Sequence, residues 1–114
     1  MSLGATPSRR LTSRIEADDD VWVYWECNGR ADVSRVRDVS LGGVFIKTPK
    51  IIPEATSAEV YFLVEEGQIR ADAVVRHTKP TTGLGLKFLA LNERDRARLA
   101  ALITRLQSLS RSQQ

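Results

Sequence analysis

Cysteine and histidine are almost missing from this 114-residue chain, with Cys27 and His77 the only ones. A single cysteine excludes an intrachain disulfide, and the two residues together cannot furnish a Cys/His metal cluster. A lone histidine leaves no basis for a Ser–His catalytic arrangement, so no enzyme is expected and both residues read as structural. No stretch approaches the roughly 18 consecutive apolar residues of a membrane-spanning helix, so no membrane insertion is expected. The opening MSLGATPS lacks the apolar segment of a secretory signal, which makes the cytoplasm the expected compartment. Internal repeats and low-complexity tracts are absent too.

What is present describes one ordinary folded domain. The chain is 42% hydrophobic and 27% charged, and a chain of this length buries roughly two-thirds of the surface its unfolded form exposes. The formal charge is +3, carried mostly by arginine, whose planar fork pairs bidentately with phosphate and stacks on flat rings as lysine cannot. The excess is local. Arg9, Arg10 and Arg14 stand in the first 14 residues without an acid, and Glu16 with Asp18, Asp19 and Asp20 follows at once. A uniform basic face for nucleic acid is not the pattern, and no nucleic-acid partner is expected.

Strand-forming runs then recur about every ten residues: VWVYWE at 21–26, RADVSRVR at 30–37, VFIKT at 44–48, AEVYFLV at 58–64, IRADAVVRHT at 69–78 and LGLKF at 84–88. Asn28-Gly29 between the first two is a strong hairpin signal, because both central residues of that turn take positive φ. Within the first run, Val21, Val23 and Trp25 share one face and Trp22 and Tyr24 the other. The Trp25 face reads as core, whereas Trp22 is a candidate for an exposed stacking surface. From Asn92 the period changes: Leu99, Leu102, Ile103, Leu106 and Leu109 form one helical stripe, with Arg94, Arg98 and Arg105 on the outer face. The expected fold is all-β, a six-stranded antiparallel β-barrel with a C-terminal α-helix. The expected organisation is 1–8 as a flexible arm or expression-derived residues, 9–108 as a single domain and 109–114 as a tail.

Two short runs carry the chemistry. In RRLTSR, Arg10 and Arg14 have R-x-x-x-R spacing, and from an extended arm their guanidiniums can converge on phosphate oxygens or on guanine O6 and N7. Solvated surface charge is the plain alternative. In DVSLGG, Asp38 offers two acceptors suited to the N1–H and N2 amine of a guanine edge, and Ser40 offers a hydroxyl. Gly42 and Gly43 permit positive φ or close approach to the backbone. Here the alternative is a turn in which Asp and Ser cap nearby N–H groups.

Both runs, in this order and ahead of a closing GLGLKF and a helix, resemble the PilZ domain family over roughly residues 8–108. The family's signature is R-x-x-x-R, here Arg10 and Arg14, plus (D or N)-x-S-x-x-G, here Asp38, Ser40 and Gly43. The resemblance implies a six-stranded barrel that binds the bacterial second messenger cyclic di-GMP. It implies that the arginine arm folds over the ligand while Asp38, Ser40 and Gly43 receive a guanine. Arg9 adds a third guanidinium, suited to a stacked pair of ligand molecules, and Gly42 and Arg76 are further candidate ligand-binding residues. No metal and no cofactor beyond the ligand are expected, and the other expected partner is an unidentified downstream protein in motility or biofilm regulation. Binding would be relayed by ordering of the arm, which changes a partner-facing surface. The alternative function is a ligand-independent interaction or scaffold protein in motility or pilus assembly.

Overall fold

A computed structural model describes residues 13–17 and 21–112. They form β1 (Ile15–Glu16), β2 (Trp22–Cys27), β3 (Arg30–Ser40), β4 (Gly43–Lys47), β5 (Ser57–Leu63), β6 (Ile69–Lys79), β7 (Gly83–Ala90) and the helix α1 (Glu93–Ser112). Six antiparallel strands close into a barrel in the order β3-β2-β5-β6-β7-β4, with β4 returning to β3. The barrel and its helix are as expected; β1 is an addition. It pairs Ile15 with Val39 and Glu16 with Asp38, continuing along the flank of β3 where β2 ends. A two-residue pairing leaves no periodic signature, which is why the segment before residue 20 reads as an unstructured arm. The proposed arm at 1–8, Arg9, Arg10 and the acidic run 18–20 lie outside the described residues.

Alternation builds the wall. Val23, Trp25, Val36, Val60, Phe62, Ile69, Ala71, Leu84 and Leu86 point inward and are buried, the pattern of a strand with one face on a core. Trp25 is the largest of them, and its indole N–H donates to Ser34 Oγ at 2.9 Å, so its one polar atom is satisfied inside the barrel. Asn28 and Gly29 turn the first hairpin at φ 52° and 75°, the paired positive values a two-residue hairpin requires. Cys27 is buried, and its thiol donates to the Ser57 carbonyl at 3.3 Å. Burial pushes that thiol up from its ordinary value, away from the reactive thiolate.

The helix closes the barrel. Asn92 Oδ1 accepts from the Asp95 N–H at 2.8 Å, the expected N-cap, with Glu93 and Asp95 in the first turn where acids suit the helix dipole. Leu99, Leu102, Ile103 and Leu106 enter the core, while Leu109 at the end of the stripe stays exposed. Two of the arginines expected on the outer face instead tie the helix down. Arg105 forks onto Glu66 at 2.6 and 3.0 Å and pairs with Glu65 at 3.0 Å; Arg98 donates to the Gln68 carbonyl at 2.8 Å. Gly67 is needed there. It sits at φ +115°, and a Cβ would lie 2.9 Å from the Arg98 guanidinium. The helix runs to Ser112, into the segment read as a tail, because no Gly or Pro interrupts it.

The Arg105 hydrogen bonds hold the Glu66 carboxyl below its usual value of 4.5. A carboxyl with a depressed folded value adds stability above its unfolded value, and the stability is lost as pH falls through the folded one. Glu66→Gln is therefore expected to lower the melting temperature at neutral pH by roughly 5 °C, about 1 kcal/mol for a bidentate pair discounted for partial exposure. The difference from the parent protein shrinks below about pH 4. Thermal melts at several pH values check both parts, and a gap that persists into acid would place the effect elsewhere.

Candidate functional site

Strict alternation along β3 would turn Asp38 inward. Ser34 and Val36 face the core, and Asp38 is the next residue of that set. The register instead shifts between Val36 and Asp38, with Val36 opposite Ile46 and Asp38 opposite Phe45. Arg37 is the extra residue of this β-bulge, and a one-residue slip flips every later side chain. Val39 therefore takes the core position opposite Val44, while Asp38 and Ser40 point to the outer wall. A second bulge does the same on β6. Val75 is opposite Leu86 and His77 opposite Gly85, so Arg76 is extra and His77 turns outward.

The two bulges flank one cleft of about 410 Å³, lined by Arg14, Ser40, Gly42, Gly43, Arg76, His77, Gly85, Leu86 and Lys87. Its floor is β4 and β7, kept low by glycine. A Cβ at Gly85 would lie 2.5 Å from His77 Nε2, so the imidazole occupies the space a side chain would fill. A Cβ at Gly43 would run into the Leu86 carbonyl oxygen on the neighbouring strand. Gly43 has no positive φ; close approach of two backbones is what demands glycine there. Gly42, in the tight turn, has only Ser40 Oγ near its Cβ position, at 3.8 Å.

Asp38 stands at the edge of this cleft as the meeting point of two arginines. Arg14 Nη1 donates to one carboxylate oxygen and Arg37 Nε to the other, both at 2.8 Å. The carboxylate side chain is 10% exposed, against 46% and 42% for the two arginines, so the acid is fixed and the bases reach it from the rim. Arg37 also lies 3.8 Å above the Phe45 ring, a cation–π contact that holds its guanidinium on the wall. Ser40 Oγ accepts from the Gly42 N–H at 3.1 Å, which is the turn-capping role. The pairing of Ile15 and Glu16 with Val39 and Asp38 delivers Arg14 to Asp38.

Of the residues singled out in the sequence, Arg14, Asp38, Ser40, Gly42, Gly43 and Arg76 gather at this one place. Arg9 and Arg10 lie outside the described residues. His77, Lys87 and Arg37 are site neighbours that sequence reasoning passed over. A signal for the bulges was present: the core residues Val36 and Val39, and again Val75 and the Thr78 of the next inward position, are three apart instead of two. Trp22 does not join the cleft. It lies on the far wall with the Arg35 guanidinium 5.3 Å from its ring. Among the described residues no cluster of three or more His, Cys, Asp or Glu could hold a metal, and no helix is long and apolar enough to cross a membrane. The chemistry on offer is anion recognition: Arg14, Arg76 and Lys87 line the opening, with one buried carboxylate beside them to accept hydrogen bonds.

Comparison with known proteins agrees with this fold. A family model described as PilZ domain matches residues 8–105. The PilZ domain of YcgR from Escherichia coli, solved with c-di-GMP, superposes with a TM-score of 0.70 at 19% identity, covering 89% of this chain and 93% of that one. MrkH of K. pneumonia in its apo state gives 0.71 at 19% identity over 90% of this chain and 53% of its own length; this chain spans about half of MrkH. PlzA of Borreliella burgdorferi, in complex with c-di-GMP, gives 0.57 at 18% identity over 85% and 41%. At these identities the likeness is one of fold. Curated protein sequences give no match. With the family model matching most of its length, the chain belongs to the PilZ domain family.

Proposed function

We propose that this chain is a receptor module for cyclic di-GMP, without chemistry of its own. The observation that carries the reading is the convergence of Arg14, Asp38, Ser40 and Gly43 on one cationic cleft. Support comes also from the family and from two relatives solved with c-di-GMP. The cleft volume falls within the range of small-ligand sites, about 300–1,000 Å³. Asp38 accepts from the N1–H and N2 amine of a guanine, while Arg10 and Arg14 take phosphate oxygens. Arg9 stacks on a second guanine in a two-molecule ligand.

Binding on this reading is an exchange. Both Asp38 oxygens are occupied by Arg14 and Arg37, so a guanine edge displaces at least one guanidinium, and the freed arginine turns to phosphate. Arg14 is the one with a chain segment to follow it. Its departure from Asp38 moves the arm and alters the surface that a downstream protein reads. Each exchange trades one charge-assisted hydrogen bond for another, so the net affinity rests on the added contacts and on the arm's ordering cost.

Calorimetric titration tests this. Cyclic di-GMP is expected to bind at micromolar or better affinity with two molecules per chain, and linear GMP far more weakly. Arg10→Ala and Arg14→Ala should each weaken binding about 10-fold, the worth of one charge-assisted contact partly exposed to water. Absence of heat with folded protein would sink the proposal and leave the ligand-independent scaffold as the better description. A stoichiometry of one would remove the role given to Arg9.

A further inference from the structure

The wall opposite the cleft is apolar where a solvent-facing wall should be polar. In the ring, β2 stands three strands from β7, and β5 three strands from β4. On their outer face Tyr24 lies opposite Val33 on one side and Tyr61 on the other, and Trp22 lies opposite Arg35 and Leu63. Trp22 is 36% exposed, Val33 48% and Leu63 52%. The two tyrosine rings are 5.8 Å apart, and a depression of about 340 Å³ opens between Tyr24, Val33, Tyr61 and Leu63. Alternation in a sheet with one wet face would put polar residues at these outward positions. Large apolar side chains grouped on adjacent rows are a contact surface instead.

The charges around this surface are divided by sign. The next outward row along the strands is acidic, with Glu26 opposite Glu59 and Glu59 opposite Asp72. Arg70 offsets part of it, bonded to Glu59 at 2.8 Å and Asp72 at 3.1 Å. The bases stand in the row of Trp22 itself, on the β3 and β4 side, with Arg35 opposite both Trp22 and Lys47. An apolar centre with acid on one flank and base on the other carries its own complement. A two-fold axis lying in the face between the flanks sets the acids of one copy on the bases of the next, as an isologous interface requires.

We infer that this face is a two-fold interface between two copies of the chain. Trp22, Val33 and Leu63 of each copy cover one another, and Glu26 of one faces Arg35 of the other. Both ligand clefts then point outward from opposite sides of the pair. The face spans four strands, about 15 Å across, which places the contact at the small end of specific interfaces, with dissociation in the ~10–100 µM range.

Sedimentation equilibrium from about 5 µM to about 1 mM, where even a weak contact registers, is the test. The average mass should rise from one chain toward two. Leu63→Glu, at an exposed position, should weaken association at least about 10-fold without changing the melting temperature. Arg35→Glu and Glu26→Lys should each weaken it, and the double variant should recover at least half of the loss, because the inverted charges again face each other. A single chain at every concentration, association indifferent to Leu63→Glu, or a double variant no better than the single ones overturns the inference. The outcome is independent of cyclic di-GMP binding, which is read on the same samples.

Discussion

Asp38→Ala is expected to weaken cyclic di-GMP binding by roughly 100-fold or more, the largest effect of any single side chain at the cleft. Two opposing consequences have to be weighed. The substitution frees Arg14 and Arg37, and two released cations beside an anionic ligand would by themselves raise affinity. Those guanidiniums are 46% and 42% exposed, so once released they are solvated and screened, and each contributes well under about 1 kcal/mol. The acceptors removed are fixed in a nearly buried position, where each hydrogen bond to a charged group is worth about 1.5–3 kcal/mol. The loss prevails. Asp38→Asn keeps one acceptor oxygen and the shape, and should lose only about 10-fold. Titration of the three proteins side by side checks the order, and an Asp38→Ala protein that binds more tightly than its parent would show that electrostatics outweigh base recognition here.

The second large effect separates two neighbouring glycines. Gly43→Ala is expected to cost about 3 kcal/mol or more, a fall of 15 °C or beyond in melting temperature for a domain of this size. The added methyl meets the Leu86 carbonyl, backbone against backbone, and relief requires parting β4 from β7 along the seam that completes the barrel. Gly42→Ala would place its Cβ in ordinary contact with Ser40 Oγ, at 3.8 Å, with no positive φ to violate, so its stability should stay within about 0.5 kcal/mol of the parent. Urea or thermal unfolding of the two variants decides the matter. Equal melting temperatures would mean that the two strands part without difficulty, and that the glycine of D-x-S-x-x-G serves the ligand alone.

How legible all this was depended on how far each feature reaches. The barrel strands announced themselves because residues such as Val23, Trp25, Val60 and Phe62 obey a period of two within a few positions. Asn28-Gly29 marked its hairpin by local conformational preference, and the helix by its leucine stripe and Asn92 cap. The grouping of Arg14 with Asp38 followed from family resemblance, and β1, the element that joins them, left no trace because two residues cannot establish a period. The outward turn of Asp38 and His77 was hidden for a different reason. It depends on bulges at Arg37 and Arg76, where a single extra residue reverses the faces, so His77 read as structural although it lines the cleft. Arg98 and Arg105 looked like solvated charge because their partners, Gln68 and Glu66, lie some 30–40 positions away.

The closing of β4 onto β3 gives each of the six barrel strands a neighbouring strand on both sides, and among the described strands β1 is the one with a single neighbour. Free strand margins are where misassembly into fibrils begins. Here the margin is two residues long and ends in the charge of Glu16, too short and too polar to template a growing sheet. Departure of Arg14 and its strand would bare only the Asp38–Val39 stretch of β3, again guarded by a carboxylate. The segment that moves most on the exchange reading can thus come and go at high protein concentration without turning a signalling event into a nucleus for aggregates.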